Sequence, residues 1–468
     1  MITKFACALA ALCVSSVMAD DRLLTQLILP EECLVDSPSY GNDLAAADGV
    51  LMVAVRNAIR DGEEIIGLVE EHRRDADGRW WKVQDILPPP DLVKAQRFPT
   101  EIDFDGDRLV IGMVGVVESE VLVMRRDGDE WALEARISAP DVAGWDFLGR
   151  FGSNVAIDGD VLVITDVSAS PPDWFSINGA LLIYRFVGGE WILDRLEPAP
   201  SADAETSFLA IDVSGPVVAA SIGDEFDLQA GLRVYNVDSG MMQEIRDSDQ
   251  QYASIAIDGG LLAARAERER GTPSGCGEVR IYRLGMDSLF ELEDSVEHAC
   301  EVGFTGDQGR RLVVSDGLIA LNGSVDRRDG SMDTRVGTFD LIERVDGAWK
   351  LSDSFFVSPA GSYFVAVSDK VGGLAIDGDQ AILSAQWRGS TPVADCDPRH
   401  RGAVYTYDIS PDYCAVDLDR DGRITMFDFL AFANEFERAS PAADFEWDGD
   451  YTLADYLAFV NAFDAGCP

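Results

Sequence analysis

Two acidic segments near the carboxyl end carry oxygen-bearing side chains at matching positions. In each stretch of twelve residues such side chains stand at positions 1, 3, 5, 9 and 12, glycine stands at position 6, and position 7 offers its backbone carbonyl. A loop with this spacing winds around a hard divalent cation, above all Ca²⁺, so the pattern predicts two bound calcium ions. The predicted ligands are Asp417, Asp419, Asp421, Arg423, Thr425 and Asp428 in the first segment, and Asp444, Glu446, Asp448, Asp450, Thr452 and Asp455 in the second.

One aromatic-rich helix is predicted after each segment, at 426–436 and 454–463, and no helix leads into either one. Position 12 is aspartate, where ordinary EF-hands prefer glutamate. Both features, together with the repeated Asp-x-Leu-Ala-Phe at 428–432 and 455–459, resemble the dockerin family. The closing residues 461–467 are similar to dockerin-like tails of planctomycete-type secreted proteins. We therefore expect residues 411–468 to form a small α-helical, dockerin-like module with paired calcium loops.

The dockerin resemblance implies a protein partner for the module. In that family, loop positions 10 and 11 contribute to recognition of a cohesin; here they are Met426-Phe427 and Leu453-Ala454. These apolar pairs differ from the polar pair of the best-known members and disfavour a cellulosome-type cohesin. Two alternatives stay open: a partner uses the helix aromatics, or the module packs back onto the rest of the chain.

A second repeat fills the chain before this module. An acidic residue, usually followed by glycine, joins two short apolar runs seven times at a mean spacing of about 55 residues. Asp-Gly between apolar runs is a two-residue hairpin turn, and each copy continues with two further strand patterns, the last often starting with tryptophan. Four antiparallel strands repeated around an axis predict a mainly β, seven-bladed β-propeller over residues 20–410. The copies begin at Asp48, Asp105, Asp158, Asp212, Asp258, Asp316 and Asp377.

The seventh copy lacks its fourth strand, and the missing pattern stands at the other end of the chain. Residues 23–30 resemble the fourth strand at 80–88. We expect this N-terminal strand to complete blade seven and close the ring, because closure removes exposed sheet edges.

Phe151-Gly152-Ser153-Asn154-Val155-Ala156-Ile157-Asp158-Gly159-Asp160 resembles the FG-GAP repeat of integrin-α-like propellers. The resemblance covers residues 22–410, and the Phe-Gly pair is intact only in this blade. That family often carries an Asp-x-Asp-x-Asp-Gly calcium loop between strands, which has no counterpart in this chain.

Residues 1–19 have the pattern of a signal peptide, with Lys4, an apolar run and a small-residue cleavage site. The predicted location is therefore secreted, extracellular or at the cell surface. Six cysteines remain after the leader, an even count that suggests disulfides in an exported chain. Equivalent positions in two blades suggest the pairs Cys33–Cys396 and Cys276–Cys300, and the pair flanking the module suggests Cys414–Cys467.

The chain of 468 residues has 83 acidic and 38 basic residues and a formal net charge of -45. A polyanionic nucleic acid is therefore an unsuitable partner. No later stretch reaches the ~18 apolar residues of a membrane span. An acidic surface suits cations or a salty medium, and simple solubility is the equally weighted alternative.

Two functions of different classes remain open. The first is a non-enzymatic interaction protein whose propeller presents a binding face to a glycan or protein ligand, with Trp174, Trp387 and Arg388 as candidate contacts. The second is an extracellular carbohydrate-active enzyme, a polysaccharide hydrolase or lyase, since two suitably spaced carboxylates suffice for hydrolysis. The histidines His72, His298 and His400 are scattered, so we expect ordinary surface or loop residues and assign no catalytic residue.

Overall fold

The fold consists of seven four-stranded antiparallel sheets followed by two helices. The computed structural model describes residues 24–28, 39–56, 59–60, 63–64, 66–76, 78–91, 97–115, 119–147, 149–171, 179–199, 206–224, 231–246, 250–268, 278–297, 311–328, 333–345, 347–356, 373–385, 403–410, 416–418, 423–437, 443 and 452–465. The predicted leader lies outside these residues. So do all six cysteines, and the three disulfides stay predictions.

Each sheet is one blade, and the order of its four strands below runs from the innermost to the outermost. Blade one consists of Ser39–Ala47, Val50–Arg56, Gly67–Arg74 and Trp80–Ile86. Blade two consists of Ile102–Phe104, Arg108–Met113, Glu120–Asp127 and Glu130–Ser138. Blade three consists of Phe151–Asp158, Val161–Asp166, Ala180–Val187 and Glu190–Pro198. Blade four consists of Thr206–Ser214, Val217–Asp224, Gly231–Asn236 and Met242–Arg246.

The remaining blades follow the same order. Blade five consists of Gln250–Asp258, Leu261–Arg268, Glu278–Leu284 and Phe290–Glu297. Blade six consists of Leu312–Ser315, Leu318–Arg328, Asp333–Val345 and Ala348–Phe356. Blade seven consists of Leu374–Asp377, Gln380–Ala385, Ala403–Asp408 and Leu24–Ile28. A small hairpin, Ile59–Arg60 with Glu63–Glu64, lies in a loop of blade one.

Asp48-Gly49 and Asp316-Gly317 form the predicted two-residue hairpin turns. Ala47 pairs with Val50 across the first turn, and Asp48 and Gly49 have φ angles of 53° and 71°. Asp316 and Gly317 adopt the same conformation, with φ angles of 51° and 80°. Two successive positive φ angles define the type I′ turn, which matches the twist of the strands it joins.

In blades three, five and seven the aspartate is instead the last paired residue of the first strand, and the two residues after it form the turn. The turn expected at Asp212 is wrong, because Asp212 pairs with Ala219 and the turn of blade four is Gly215-Pro216.

The ring closes through the N-terminal strand, as the sequence predicts. Leu24–Ile28 pairs antiparallel with Ala403–Asp408 as the outer strand of blade seven. First strands of consecutive blades contact one another all around the ring, and the first strand of blade seven contacts that of blade one. The seven-bladed propeller is therefore confirmed by the sheet topology.

The core of the propeller lies between blades. Each of its seven apolar clusters joins buried side chains of two neighbouring blades, including the pair formed by blades seven and one. The predicted tryptophans of the fourth strands pack into these layers, with Trp80 and Trp349 buried and Trp131 and Trp191 partly buried. Stability thus comes from stacking similar units, and each blade depends on its neighbours.

The first strands of four blades share a buried aromatic residue at the position of the Phe in Phe-Gly, since each pairs with the same position of its second strand. These residues are Tyr40, Phe151, Phe208 and Tyr252, all at most 1% exposed. Glycine follows the aromatic residue only at Gly41 and Gly152, where φ is 67° and 81°. More blades therefore keep the repeat than keep the Phe-Gly pair itself. The aromatic residue fills the core, whereas glycine is needed only where the backbone has a positive φ angle.

The chain ends in two short helices, Met426–Glu437 and Leu453–Ala465, which confirm the predicted helical pair. Their apolar faces pack around Val416, Phe432 and Phe459 in a separate small core. Among the described helices, none is long and apolar enough to cross a membrane.

Candidate calcium module and axial channel

Both C-terminal helices begin with the same capping arrangement. The Thr425 N–H donates to Asp428 Oδ2 at 2.6 Å, and the Phe427 N–H donates to Thr425 Oγ1 at 3.1 Å. In the second helix the Thr452 N–H donates to Asp455 Oδ2 at 2.8 Å. Threonine at the cap with an acidic residue three positions later is a capping box, which explains why the helices start at these positions.

The module has an approximate two-fold symmetry that follows the 27-residue repeat. The equivalent residues Phe432 and Phe459 stack on each other, with ring centroids 4.0 Å apart and an interplanar angle of 2°. The pairs Phe432–Phe436 and Phe459–Phe463 have the same centroid separation of 5.6 Å. Residues that correspond in the sequence therefore occupy corresponding places in one shared core.

The described residues include about half of the predicted calcium ligands. Asp417, Arg423, Thr425 and Asp428 belong to the first segment, and Thr452 and Asp455 to the second. Asp428 and Asp455 are both fully buried. The other predicted ligands lie outside the described residues: Asp419, Asp421, Asp444, Glu446, Asp448 and Asp450.

The residues present fit a calcium ion at position 12 of each segment. Both buried side chains are carboxylates, the hard oxygen ligands that Ca²⁺ prefers. Helix capping by itself explains the hydrogen bonds of Asp428 and Asp455 to the threonines. The calcium hypothesis therefore depends on the other carboxylates of each segment as much as on these two. An ion held there would neutralise crowded negative charge and order the loop ahead of the helix.

The same repeat leaves an apolar surface in solvent on each helix. Met426 and its counterpart Leu453 are each 70% exposed, and Phe427 is 68% exposed. Leu430 and Leu457, one turn further along, are each about half exposed. These include the residues at loop positions 10 and 11, which the sequence singles out for partner recognition.

In the propeller, the hairpin aspartates bond to the next blade. Asp105 Oδ2 accepts the Gly159 N–H at 3.0 Å, and Asp158 Oδ2 accepts the Gly215 N–H at 2.6 Å. Across the ring closure, Asp377 Oδ1 accepts the Gly49 N–H at 3.0 Å. The sequence indicates structural roles for Asp158 and Asp377 within their turns; the bonds between blades depend on a facing residue that no local pattern specifies.

A second set of aspartates lies on the first strands. Asp43, Asp103 and Asp212 each accept the backbone N–H of the following residue and one from the next blade. The bonds to the next blade run from Ile102, Ile157 and Ile257, at 2.9, 2.7 and 2.7 Å. The first strands surround the propeller axis, so these carboxylates form an acidic lining of the axial channel.

One arginine crosses this channel. Arg311 precedes the first strand of blade six, and its guanidinium lies 3.0 Å from Asp43 of blade one and 3.3 Å from Glu101 of blade two. Blade six borders neither of those blades, so the side chain must span the interior of the ring. Arg311 thereby pairs with two carboxylates of the acidic lining and ties distant blades together, although burial still raises the pKa of Glu101 to about 7.

On the other side of the lining, Asp103 and Asp212 have no ion-pair partner among the described residues. Burial, reinforced by the charge of Asp212, raises the pKa of Asp103 to about 8. Burial likewise raises the pKa of Asp212 to about 7, with Asp158 and Asp258 adding to the effect. The hydrogen bonds from the backbone oppose both shifts but do not cancel them. These carboxyls therefore titrate near neutral pH.

The expectation that every histidine is a surface or loop residue is wrong for His72. It lies in the third strand of blade one, 3% exposed, with Nε2 3.1 Å from Glu70 Oε2. Glu70 also accepts hydrogen bonds from the Tyr40 hydroxyl and the Lys82 ammonium. His72 shares a strand face with Leu68 and Glu70, which the alternation of a strand predicts once its register is known. His298, His400, Trp174, Trp387 and Arg388 lie outside the described residues.

No protein-family model matches the chain, and no curated protein does. Solved structures match it at low identity. A crystal structure of the mitotic checkpoint complex gives a TM-score of 0.47 at 11% identity, covering 79% of this chain and 92% of that chain. Sqt1 of Saccharomyces cerevisiae gives 0.41 at 11%, covering 78% and 83%. The β-propeller domain of the Trilobed protease from Pyrococcus furiosus gives 0.41 at 10%, covering 76% and 97%.

Proposed function

We propose that this chain is a secreted calcium-binding interaction protein. Its propeller is a rigid platform, and its C-terminal module attaches that platform to a protein partner. The observation that carries the proposal is the matched pair Asp428 and Asp455, each fully buried and each bonded to a threonine three residues earlier. A duplicated loop and helix, with duplicated oxygen ligands ahead of each helix, is the arrangement expected of a dockerin-like module.

Calcium has a structural role in this proposal. The twelve ligands predicted from the sequence would hold two ions, which would supply the positive charge that the crowded carboxylates require. The chain's own residues do the rest: the threonine caps start the helices, and the stacked Phe432 and Phe459 hold the two halves together. Ordering the loops fixes the positions of the exposed residues beside them.

Attachment uses the apolar residues at the start of the two helices. Met426 and Phe427 on one helix and Leu453 on the other are each at least 68% exposed. Exposed apolar side chains at equivalent positions of a duplicated module favour a partner with an apolar surface. The exported location and the pairs Cys33–Cys396, Cys276–Cys300 and Cys414–Cys467 belong to the same proposal, because an oxidising compartment would let them staple the ring and the module.

Isothermal titration calorimetry of the full chain with CaCl₂ tests the proposal. We expect two binding events, because each segment supplies its own ligand set. Asp417→Asn should remove the first event and Asp444→Asn the second, since each replaces the ligand at position 1 of its loop.

Asp141→Asn is the matched control, because it removes one exposed carboxylate of the propeller and should leave both events in place. Two events that survive the paired substitution of Asp417 and Asp444 would contradict the proposal. Absence of any calcium-dependent heat in the wild-type chain would contradict it as well.

A further inference from the structure

Five large apolar side chains are exposed together on blades four and five. Met241, Met286 and Leu289 lie in the hairpins between the third and fourth strands of these blades, Met242 and Leu284 lie at the strand ends that flank the hairpins, and all five are 37% exposed or more. We refer to these five residues as the methionine patch. Exposed apolar side chains scattered singly are ordinary, whereas a group of five is not.

The other blades show that the fold does not require this composition. The hairpin between the third and fourth strands occurs in blades one to six, and the repeat makes each copy a control for the others. In blades one, two, three and six, described residues of this hairpin include at most one exposed large apolar side chain: Val187 in blade three and Val345 in blade six. Equivalent backbone is thus formed with polar or glycine-rich turns, so the hairpin does not need the exposed apolar side chains of the methionine patch in order to form.

Four of the five residues line one small concavity, and Met286 is not among its lining residues. Met241, Met242, Leu284 and Leu289 line one concavity together with the buried ring of Phe290. Two hydrogen bonds hold its walls in register: Gln243 Nε2 donates to the Phe290 carbonyl, and the Phe290 N–H donates to Gln243 Oε1, both at 2.8 Å. These bonds tie the two walls of the concavity together, while the methionine side chains can adapt to a bound surface.

Charges around the patch are unbalanced toward the negative. The nearby arginines are already engaged: Arg185 pairs with Asp238 at 2.8 Å and Arg283 with Glu293 at 2.6 Å. Within the described part of the chain, Asp287 and Glu291 have no ion-pair partner. A ligand that covers the apolar concavity would therefore meet uncompensated carboxylates at its edge.

We propose that the methionine patch binds an amphipathic peptide segment of another protein, in which apolar side chains are flanked by lysine or arginine. The apolar side chains would enter the concavity, and the basic residues would face Asp287 and Glu291. This inference deepens the proposed role of the propeller as a binding platform and rests on it. It does not involve the calcium loops, so the two proposals fail independently.

Fluorescence anisotropy tests the proposal with a labelled peptide of leucine and lysine in an amphipathic arrangement, about four helical turns long. Salt at about 0.15 M limits unspecific attraction to the acidic chain. The full chain should bind this peptide, and the triple substitution Met242→Ser, Met286→Ser and Leu289→Ser should weaken binding on the order of tenfold. The triple substitution leaves the net charge unchanged, so the loss reports the apolar contact.

The control variant carries Leu133→Ser, Val187→Ser and Val345→Ser, which remove comparably exposed apolar side chains from other blades. It should bind like the wild type, and a peptide with glutamate in place of lysine should bind much more weakly. Equal affinity of the patch variant and the wild type would overturn the proposal. So would a concentration-dependent dimer in sedimentation velocity that only the patch variant loses, since a second copy would then be the occupant.

Discussion

Glu71 shows how one side chain joins two blades. This carboxylate of blade one is fully buried and accepts hydrogen bonds from Arg73 and Gln84 of its own blade, at 2.8 and 2.7 Å. From blade two it accepts bonds from Arg126 and the Trp131 indole, at 3.2 and 2.8 Å. Burial alone would raise the pKa of Glu71, but the bonds from Arg73, Trp131 and Gln84 hold it below its ordinary value.

Glu71→Ala should therefore destabilise the propeller by about 3–5 kcal/mol, because it leaves buried donors without an acceptor. Urea unfolding followed by circular dichroism measures this loss. Since the folded pKa is depressed, the contribution of Glu71 is present above about pH 4.3 and is lost as the pH falls through the folded value. Glu130→Ala, at an exposed position of blade two, should change stability by less than about 0.5 kcal/mol. Equal effects of the two substitutions would contradict the role of Glu71 as a buried acceptor shared by blades one and two.

At the residue scale, the sequence predicts which residues form turns better than it predicts their hydrogen-bond or ion-pair partners. The hairpin aspartates are recognisable from their glycines, because turn chemistry is local. Their bonds to the next blade, such as that of Asp158 to Gly215, depend on a residue 57 positions away. The contacts of Arg311 are even harder to predict from the sequence. Asp43 and Glu101 are its neighbours only because the ring brings blade six opposite blades one and two.

At the scale of elements, the N-terminal strand carries the closure of the ring. Thr25 Oγ1 donates to the Thr406 carbonyl of the neighbouring strand at 2.8 Å. Gln26 donates to the Trp80 carbonyl and accepts the Trp80 N–H, both at 2.7 Å, and so joins blade seven to blade one. The same pair of hydrogen bonds joins Gln243 of blade four to Phe290 of blade five. The closure therefore reuses the contact that holds consecutive blades together.

A chain that starts at residue 30 should lose this closure. Ala403–Asp408 would become an edge strand with unpaired backbone groups, which favours association between molecules. Size-exclusion chromatography should show oligomers and a lower yield of monomer, and differential scanning calorimetry a lower melting temperature. Gln26→Ala should be milder, about 1–2 kcal/mol, because it removes only the two bonds to Trp80. A truncated chain that stays monomeric with an unchanged melting temperature would show that the ring does not need this strand.

Elements are largely predictable because each has a local signature in the sequence. Asp-Gly marks the first hairpin of a blade and tryptophan marks the fourth strand, as in Trp80–Ile86. The calcium spacing predicts the helix starts, and the structure adds the capping boxes of Thr425 and Thr452 as a second reason. The buried aromatic position of the first strands is harder to recognise in the sequence. The Phe-Gly signature includes a glycine, and most blades lack that glycine because their backbone does not need it.

At the scale of the whole molecule, negative charge is the dominant property. A net charge of -45 repels itself, and the first strands place part of it on buried and half-buried carboxylates around the propeller axis. Arg311 pairs with Asp43 and Glu101 and acts on Asp103 only at longer range, and among the described residues neither Asp103 nor Asp212 has a cation within 4 Å. The raised pKa values of Asp103 and Asp212, about 8 and 7, are the consequence. The fold thus stores unfavourable charge at its centre that a proton can remove.

This stored charge predicts that stability falls as the pH rises. In the unfolded chain an aspartate titrates near 3.9, so between about pH 4 and 8 the folded state holds protons on Asp103 and Asp212 that the unfolded state has released. Their contribution is fully present below that window and is lost as the pH passes through the folded values. We expect the urea midpoint of the wild type to be lower at pH 8.5 than at pH 5.5. Asp103→Asn with Asp212→Asn, which mimics the protonated pair, should reduce that difference.

The control pair Asp127→Asn with Asp141→Asn removes the same net charge from exposed positions, so it should retain most of the wild-type difference between the two pH values. General self-repulsion of the acidic surface acts on all three proteins alike, and the comparison isolates what the channel adds. Equal pH dependence in the channel pair and the surface pair would mean that Asp103 and Asp212 ionise together at ordinary values. In that case the axial lining would have to be solvated well enough to hold both negative charges without destabilising the ring.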